Sequence, residues 1–260
     1  MKVGIFDSGL GGLTVVKALE KVVKGAELFY IADTKNAPYG EKTPEQILQF
    51  SLDITKYFIN VHNIDALIVA CNTATSAAIR QLREKYPELI IIGTEPGIKP
   101  AFEQTVTGKV GVLATPTTLE GEKYQHLANE LSTLKDVRLF EQACPGLVEQ
   151  IEKGELGSDA TKDMLEKWLH PMKEHDVDTI VLGCTHYPLV KELIENTMQR
   201  KLNLVHTGTA IAKRLLSLAN KKGYINKGSL KINLYSTKDI NEDAVKNIMG
   251  KNINILGCIC

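Results

Sequence analysis

One phrase occurs twice in this chain and sharply limits what it can fold into. Ile64-Asp65-Ala66-Leu67-Ile68-Val69-Ala70-Cys71-Asn72-Thr73 is matched by Val177-Asp178-Thr179-Ile180-Val181-Leu182-Gly183-Cys184-Thr185-His186, with Asp and Cys at the same interval in both. Each copy begins as a short, almost wholly apolar run, the pattern of a strand buried on both faces of a parallel sheet. Each then breaks off in a thiol followed by polar side chains. Open α/β sheets bind ligands at the carboxyl ends of such strands. A second echo sets Lys2-Val3-Gly4-Ile5-Phe6-Asp7-Ser8 against Lys109-Val110-Gly111-Val112-Leu113-Ala114-Thr115, in the same order and at nearly the same offset. Two matched landmarks point to two related half-chains.

The segments between these landmarks alternate apolar runs with amphipathic stretches, a β-α-β-α rhythm that predicts α/β architecture with mostly parallel, helix-covered sheets. Strands are expected at 2–6, 28–32, 89–93, 202–205 and about 230–235, besides the repeated runs. Helices are expected at 13–23, 43–62, 74–85, 117–131, 145–153, 158–175, 188–200, 209–220 and 239–249. Thr43-Pro44-Glu45-Gln46 reads as a helix start, with Thr43 as N-cap, Pro44 at the first helical position and Gln46 closing a capping box. The organisation read from this is a first domain of residues 1–97 plus 207–260 and a second of 98–206. The surplus after the second unit returns to complete the first. No linker separates the halves, so they are expected to pack face to face.

Composition excludes several function classes. Lys plus Arg and Asp plus Glu balance at 31 each in 260 residues, so no global field draws the chain to nucleic acid or an acidic membrane. No apolar run approaches the roughly 20 residues that span a bilayer. Met1 leads directly into a strand-like segment without a signal peptide, so the expected location is the cytoplasm. The five cysteines, an odd number without C-x-x-C spacing, suit a reducing compartment and argue against a zinc site. No metal and no cofactor is expected. Cys258-Ile259-Cys260 could catch a metal, but reads more simply as tail thiols without a role.

Cys144, before Pro145, reads as a small buried hydrophobe. Cys71 and Cys184 differ, because polar groups follow them that a core would waste. Thiolates are favoured at helix amino termini. Two opposed acid/base groups around one carbon are what inversion of a stereocentre requires: one removes a proton and the other delivers one to the opposite face. Gly9-Leu10-Gly11-Gly12-Leu13-Thr14 fails the G-x-G-x-x-G pattern, and no P-loop is present, so nucleotide binding is unsupported. Glycine turns still expose backbone N–H groups that suit a carboxylate. Asp7 could equally be a helix cap, and Asp33 with Pro38-Tyr39-Gly40 could be plain loop chemistry.

Taken together, Phe6-Asp7-Ser8-Gly9-Leu10-Gly11-Gly12, Pro38-Tyr39-Gly40, Ala70-Cys71-Asn72-Thr73 and Gly183-Cys184-Thr185-His186-Tyr187-Pro188 resemble the glutamate racemases of the aspartate/glutamate racemase family. These are cofactor-independent enzymes that supply D-glutamate for bacterial peptidoglycan. The resemblance implies that Cys71 and Cys184 are the two bases, the first taking the proton from D-glutamate and the second from L-glutamate. It implies that Asp7 assists Cys71, that His186 and Glu149 assist Cys184, and that the enzyme is a homodimer. Asp7, Ser8, Tyr39, Gly40, Asn72, Thr73, Thr185 and His186 would hold the ammonium and carboxylates of glutamate. Thr115 joins them as the repeat's counterpart of Ser8. An ordinary cysteine has a pKa near 8.5, which is why a base thiol needs such neighbours. Aspartate racemases share the two-cysteine logic, but their second motif resembles Cys-Thr-Glu, so Cys184-Thr185-His186 favours glutamate. A binding protein that grips an amino acid without inverting it, and a thiol metal or redox protein, are the competing classes.

Overall fold

A computed structural model of the chain describes every residue except Lys135, Asn226 and Cys260. Half of the Cys258-Ile259-Cys260 tail motif thus lies outside the described residues. The chain divides into two compact units, Met1–Thr94 with Thr207–Cys260, and Glu95–His206.

The first unit opens with β1 (Lys2–Asp7), α1 (Leu13–Val22), β2 (Glu27–Ala32), α2 (Pro44–Tyr57), β3 (Ala66–Val69), α3 (Asn72–Lys85) and β4 (Ile90–Gly93). The second unit follows with α4 (Ile98–Gln104), β5 (Lys109–Ala114), α5 (Pro116–Glu120), α6 (Glu122–Leu134), β6 (Arg138–Ala143), α7 (Leu147–Glu152), α8 (Asp159–Glu174), β7 (Thr179–Gly183), α9 (Lys191–Met198) and β8 (Asn203–Val205). The chain then returns to the first unit with α10 (Gly208–Lys221), β9 (Lys231–Ser236), α11 (Glu242–Met249) and β10 (Asn254–Cys258).

The strand orders are β10-β9-β2-β1-β3-β4 and β6-β5-β7-β8, and every pairing among the described residues is parallel. Within the first sheet, β2-β1-β3-β4 has the same topology as the whole second sheet. Register repeats too: Val3 lies opposite Ala66 and Val110 opposite Thr179.

Burial on both faces explains the apolar runs. Val3, Ile5 and Ile68 point into a core shared with α1, α10 and α11, while Phe6, Leu67 and Val69 point into another shared with α2 and α3. In the second unit Ile180 and Leu182 pack with α7, α8 and α9, whereas Val110, Val112 and Val181 pack with α4 and α6. The repeated Lys-Val-Gly has a packing cause. A Cβ on Gly4 would stand 2.9 Å from the Phe58 ring, and one on Gly111 would stand 2.6 Å from Met172 Sδ. Each glycine lets a covering side chain press onto the central strand. The repeated Asp lies at the opposite end of its strand from the Cys. Asp65 accepts from Lys2 N at 2.8 Å and Tyr224 Oη at 3.0 Å. Asp178 accepts from Thr105 Oγ1 at 2.7 Å and from Val106 N and Thr107 N at 2.7 and 2.9 Å.

The Thr43 capping box forms as expected. Several boundaries differ, each for a local reason. The helix expected to reach His62 passes at Phe58–His62 into a π-helical turn, which Asn63 ends in the left-handed conformation at φ 51°. The single helix expected at 117–131 is two, because Gly121 takes an extended conformation between α5 and α6. The helix expected from Pro145 starts at Leu147, after left-handed Gly146 at φ 82°. The helix expected from Pro188 begins as a 3₁₀ turn over Tyr187–Val190, and α9 starts only at Lys191. Strands β6 and β10 were not anticipated. Both are edge strands with mixed or exposed side chains, so neither carries the continuous apolar pattern of an inner parallel strand.

Candidate active site

In the first unit the carboxyl ends of β1, β2 and β3 lie along one edge of the sheet. Cys71, two residues beyond β3, is the N-cap of α3, and its Sγ accepts from Ala74 N at 3.5 Å. A sulfur at this position sits among the free N–H groups of a helix amino terminus, a favourable place for negative charge. Ser8 Oγ, just beyond β1, is 3.9 Å from that sulfur. Cys71, Asn72, Thr73, Ser8 and Asp7 are all at least nine-tenths buried, and Asp7 completely so. The Asp7 carboxylate accepts from Gly12 N at 2.6 Å, so it ties down the glycine turn, as a cap would. Tyr30 Oη reinforces that turn by donating to Gly9 O at 2.6 Å.

The strand end beneath Cys71 is braced by residues the sequence reading passed over. Thr75 Oγ1 and Thr94 Oγ1 both donate to Val69 O, at 3.2 and 2.9 Å, and Thr94 N donates to Thr75 Oγ1 at 2.9 Å. Tyr39 and Gly40 form a 3₁₀ turn with Glu41. The Tyr39 hydroxyl donates to Asp33 Oδ2 at 2.5 Å. Burial first, and then the Asp33 charge, hold the Tyr39 phenol well above its ordinary value.

In the second unit Cys184 follows β7 directly. No α-helix starts at its side; the 3₁₀ turn comes first, and a different group serves this thiol. His186 Nδ1 lies 3.7 Å from Cys184 Sγ, and His186 Nε2 lies 2.5 Å from Glu152 Oε1. The imidazole is thus held between a sulfur and a carboxylate. Burial pulls its pKa down, but the hydrogen bonds and charges of Cys184 and Glu152 outweigh burial and hold the imidazolium well above the usual histidine value. Thr185 is buried beside it. Tyr187, fully buried, pins the turn from both ends: its N–H donates to Cys184 O at 3.2 Å and its hydroxyl to Cys144 O at 3.4 Å.

The carboxylate that bonds His186 is Glu152, the last residue of α7, which the sequence reading passed over. Glu149 stands one turn earlier on the same helix. Thr115 is buried as the N-cap of α5, accepting from Thr118 N at 3.3 Å and bonded to Thr118 Oγ1 at 2.8 Å. Cys144 is buried with its Sγ donating to Gln142 O at 3.5 Å; burial and the neighbouring Cys184 push its thiol up to about 12. It stays a protonated core residue, as read. Among the described residues no cluster of three or more His, Cys, Asp or Glu is placed to hold a metal ion, and no helix is long and apolar enough to cross a membrane.

Each unit therefore carries a buried thiol at the carboxyl edge of its sheet, one on a helix amino terminus and one against an imidazole–carboxylate pair. Residues 7–215 match the family model described as Asp/Glu/Hydantoin racemase. The chain is 68% identical to a glutamate racemase of Sulfurovum over 96% of its length and 94% of that protein's. It is 60% identical to a glutamate racemase of Aliarcobacter butzleri over 99% of both chains. Among solved structures, Escherichia coli glutamate racemase in complex with L-glutamate and the activator UDP-MurNAc-ala superposes with a TM-score of 0.86 at 27% identity, covering 100% of this chain and 98% of that one. A chain with these thiols, these neighbours and these relatives belongs to the Asp/Glu/hydantoin racemase family, on its glutamate racemase branch.

Proposed function

We propose that the protein interconverts L- and D-glutamate without a cofactor, by a two-base mechanism in which Cys71 and Cys184 act on opposite faces of the α-carbon. The observation that carries this reading is the paired placement of the thiols. The same strand-end position, one copy per unit, holds a cysteine supplied with its own polar neighbours. One thiolate removes the α-proton while the other, protonated, returns a proton to the opposite face, so the stereocentre inverts and the protonation states of the two sulfurs exchange. Cys71 takes the proton from D-glutamate and Cys184 from L-glutamate. His186, backed by Glu152, supports Cys184, and Asp7 supports Cys71. Ser8, Tyr39, Gly40, Asn72, Thr73, Thr115 and Thr185 offer hydroxyl, amide and backbone groups for the substrate's ammonium and carboxylates.

The α-proton of a zwitterion is very weakly acidic, so developing negative charge must be met by pre-placed donors in a site shielded from water. We further infer a role in supplying D-glutamate for peptidoglycan, in the cytoplasm, by a homodimer. The UDP-MurNAc-ala bound as activator in the Escherichia coli relative supports the peptidoglycan connection.

Circular dichroism of L- and D-glutamate with purified protein in deuterated water, no cofactor added, tests the reading. Loss of optical activity with deuterium entering Cα is the expected result. Turnover of aspartate alone would reassign the substrate, and binding of glutamate without exchange would make the protein a binding protein.

A further inference from the structure

Asp33 is a buried carboxylate, 1% exposed, that the reaction as described leaves unused. It lies just beyond β2, and its side chain collects donors from three places. Tyr39 Oη donates at 2.5 Å, Asn36 Nδ2 at 3.0 and 3.1 Å, and Thr237 Oγ1 at 2.7 Å. The direction of the last bond is settled by its neighbour. Thr237 Oγ1 accepts from Lys35 N at 3.0 Å, so the threonine's own proton is directed to Asp33. An ionised carboxylate only accepts, and every group around this one donates. The 2.5 Å Tyr39 contact is in the range of a charge-assisted O–H···O⁻ bond.

The same fold does without a carboxylate at this place. Cys144 occupies the equivalent position after β6. Its N–H donates to Ala114 O at 3.0 Å, just as Asp33 N–H donates to Asp7 O at 2.9 Å. Yet its side chain only turns back to Gln142 O. The architecture therefore does not demand Asp33; the loop that follows it does. That loop leads to the Tyr39–Gly40 turn, and its second anchor is the segment just past β9, which reaches this sheet only after the chain has returned from the other unit. Thr34 Oγ1 donates to Lys238 O at 3.2 Å and Thr237 N to Ala32 O at 3.0 Å.

We propose that Asp33 is a positioning residue for glutamate binding: it gathers Tyr39, Asn36 and Thr237 on one buried carboxylate and so fixes the Tyr39–Gly40 turn against the returning carboxyl-terminal segment. The proposal rests on the reading that this turn contacts the substrate. Asp33 touches no reacting atom, so it acts on KM more than on kcat.

Asp33→Asn in the full chain tests it with two readouts. Amide hydrogen exchange across residues 34–42 should accelerate on the order of tenfold, since a charge-assisted bond at the turn is lost. KM for both glutamate enantiomers should rise on the order of tenfold with kcat within about threefold. Thr237→Val should shift both readouts the same way by less. Unchanged exchange in Asp33→Asn overturns the anchoring. Faster exchange with KM unchanged and kcat reduced overturns the positioning role. A wild-type protein that does not turn over glutamate would instead refute the proposed function, and the exchange readout would still decide the anchoring. If Asp33→Asn does not fold, Thr237→Val and Tyr39→Phe each remove one donor at nearly constant shape. Faster exchange in both supports the proposal, and unchanged exchange in both sinks it.

Discussion

Replacing Glu152 by Gln removes one charge and little else, and the structure says what should follow. Glu152 Oε1 stands 2.5 Å from His186 Nε2, with the two side chains 22% and 2% exposed respectively. Glutamine keeps the shape and an oxygen for the hydrogen bond, but the attraction for an imidazolium is lost. A hydrogen bond to a charged group is worth about 1.5–3 kcal/mol against about 1 kcal/mol for a neutral one, so the pair should weaken by on the order of 1 kcal/mol and the histidine should titrate lower. Burial, which already opposes the charged form, acts in the same direction. The imidazolium exists below its folded pKa, so wild type keeps it to higher pH than Glu152→Gln. The assay is the pH profile of kcat with L-glutamate, the direction in which Cys184 is the proposed base. Its alkaline limb should move towards acid. Stability should report the same event with its own sign. A raised folded pKa contributes fully below the unfolded value of about 6.5 and is lost as pH rises through the folded one. The melting difference between wild type and variant should therefore be larger near pH 6 than at alkaline pH. Glu149→Gln, one turn earlier, should leave the limb in place. A Glu152→Gln profile that superimposes on wild type, or a larger shift from Glu149→Gln, would refute the assignment.

Cys71→Ser and Cys184→Ser should each abolish racemisation while leaving far-UV circular dichroism and the melting transition near wild type, because both thiols stand at strand ends beside polar groups and a serine side chain nearly matches them in size. Near-normal turnover in either variant contradicts a two-base cycle. Gly4→Ala should destabilise more than Gly111→Ala, each within about 1–3 kcal/mol by urea denaturation. The new methyl meets the buried Phe58 ring in the first case and the Met172 thioether in the second, and a thioether yields more easily than an enclosed ring. Equal losses would argue against that account.

The repeat carried most of the fold in the sequence because it has two physical causes readable without coordinates. A strand buried on both faces must be almost wholly apolar, and a chain that turns from strand to helix must expose polar groups at the turn. Both conditions act on short stretches, so Val3–Asp7, Ala66–Cys71 and Thr179–Cys184 could be placed directly. The edge strands β6 and β10 escaped because neither condition applies to them: Arg138, Glu141 and Gln142 sit in a strand with one neighbour, and an edge tolerates them. Glu152 escaped at finer scale: which glutamate of α7 meets His186 is set by packing across 34 positions of chain, and no local pattern carries that. Thr237 was invisible for the same reason. It meets Asp33 across 204 positions of chain, and no local pattern encodes a partner so distant.

Where the two units depart from their common plan, they depart around the two strand-end thiols. Cys71 sits on the first turn of α3 and accepts a backbone N–H, with Ser8 beside it. Cys184 has the same place on the same kind of strand, but the 3₁₀ turn after it supplies no such terminus. The position two residues on, Thr73 in one unit, is His186 in the other, and it comes with a carboxylate of its own. Asp7 ends β1, while the residue matching it at the end of β5 is Ala114. A thiol can be made ready for proton transfer by helix N–H groups or by an imidazolium, and under the proposed two-base cycle each unit offers one of these devices. The two sulfurs are thus equivalent in fold and inequivalent in environment. Variants at Asp7 and at His186 should therefore slow the two directions of the reaction by different amounts, and initial rates from each pure enantiomer are the measurement. Equal losses in both directions, from either variant, would mean that the neighbours serve the substrate as a whole and not one sulfur each.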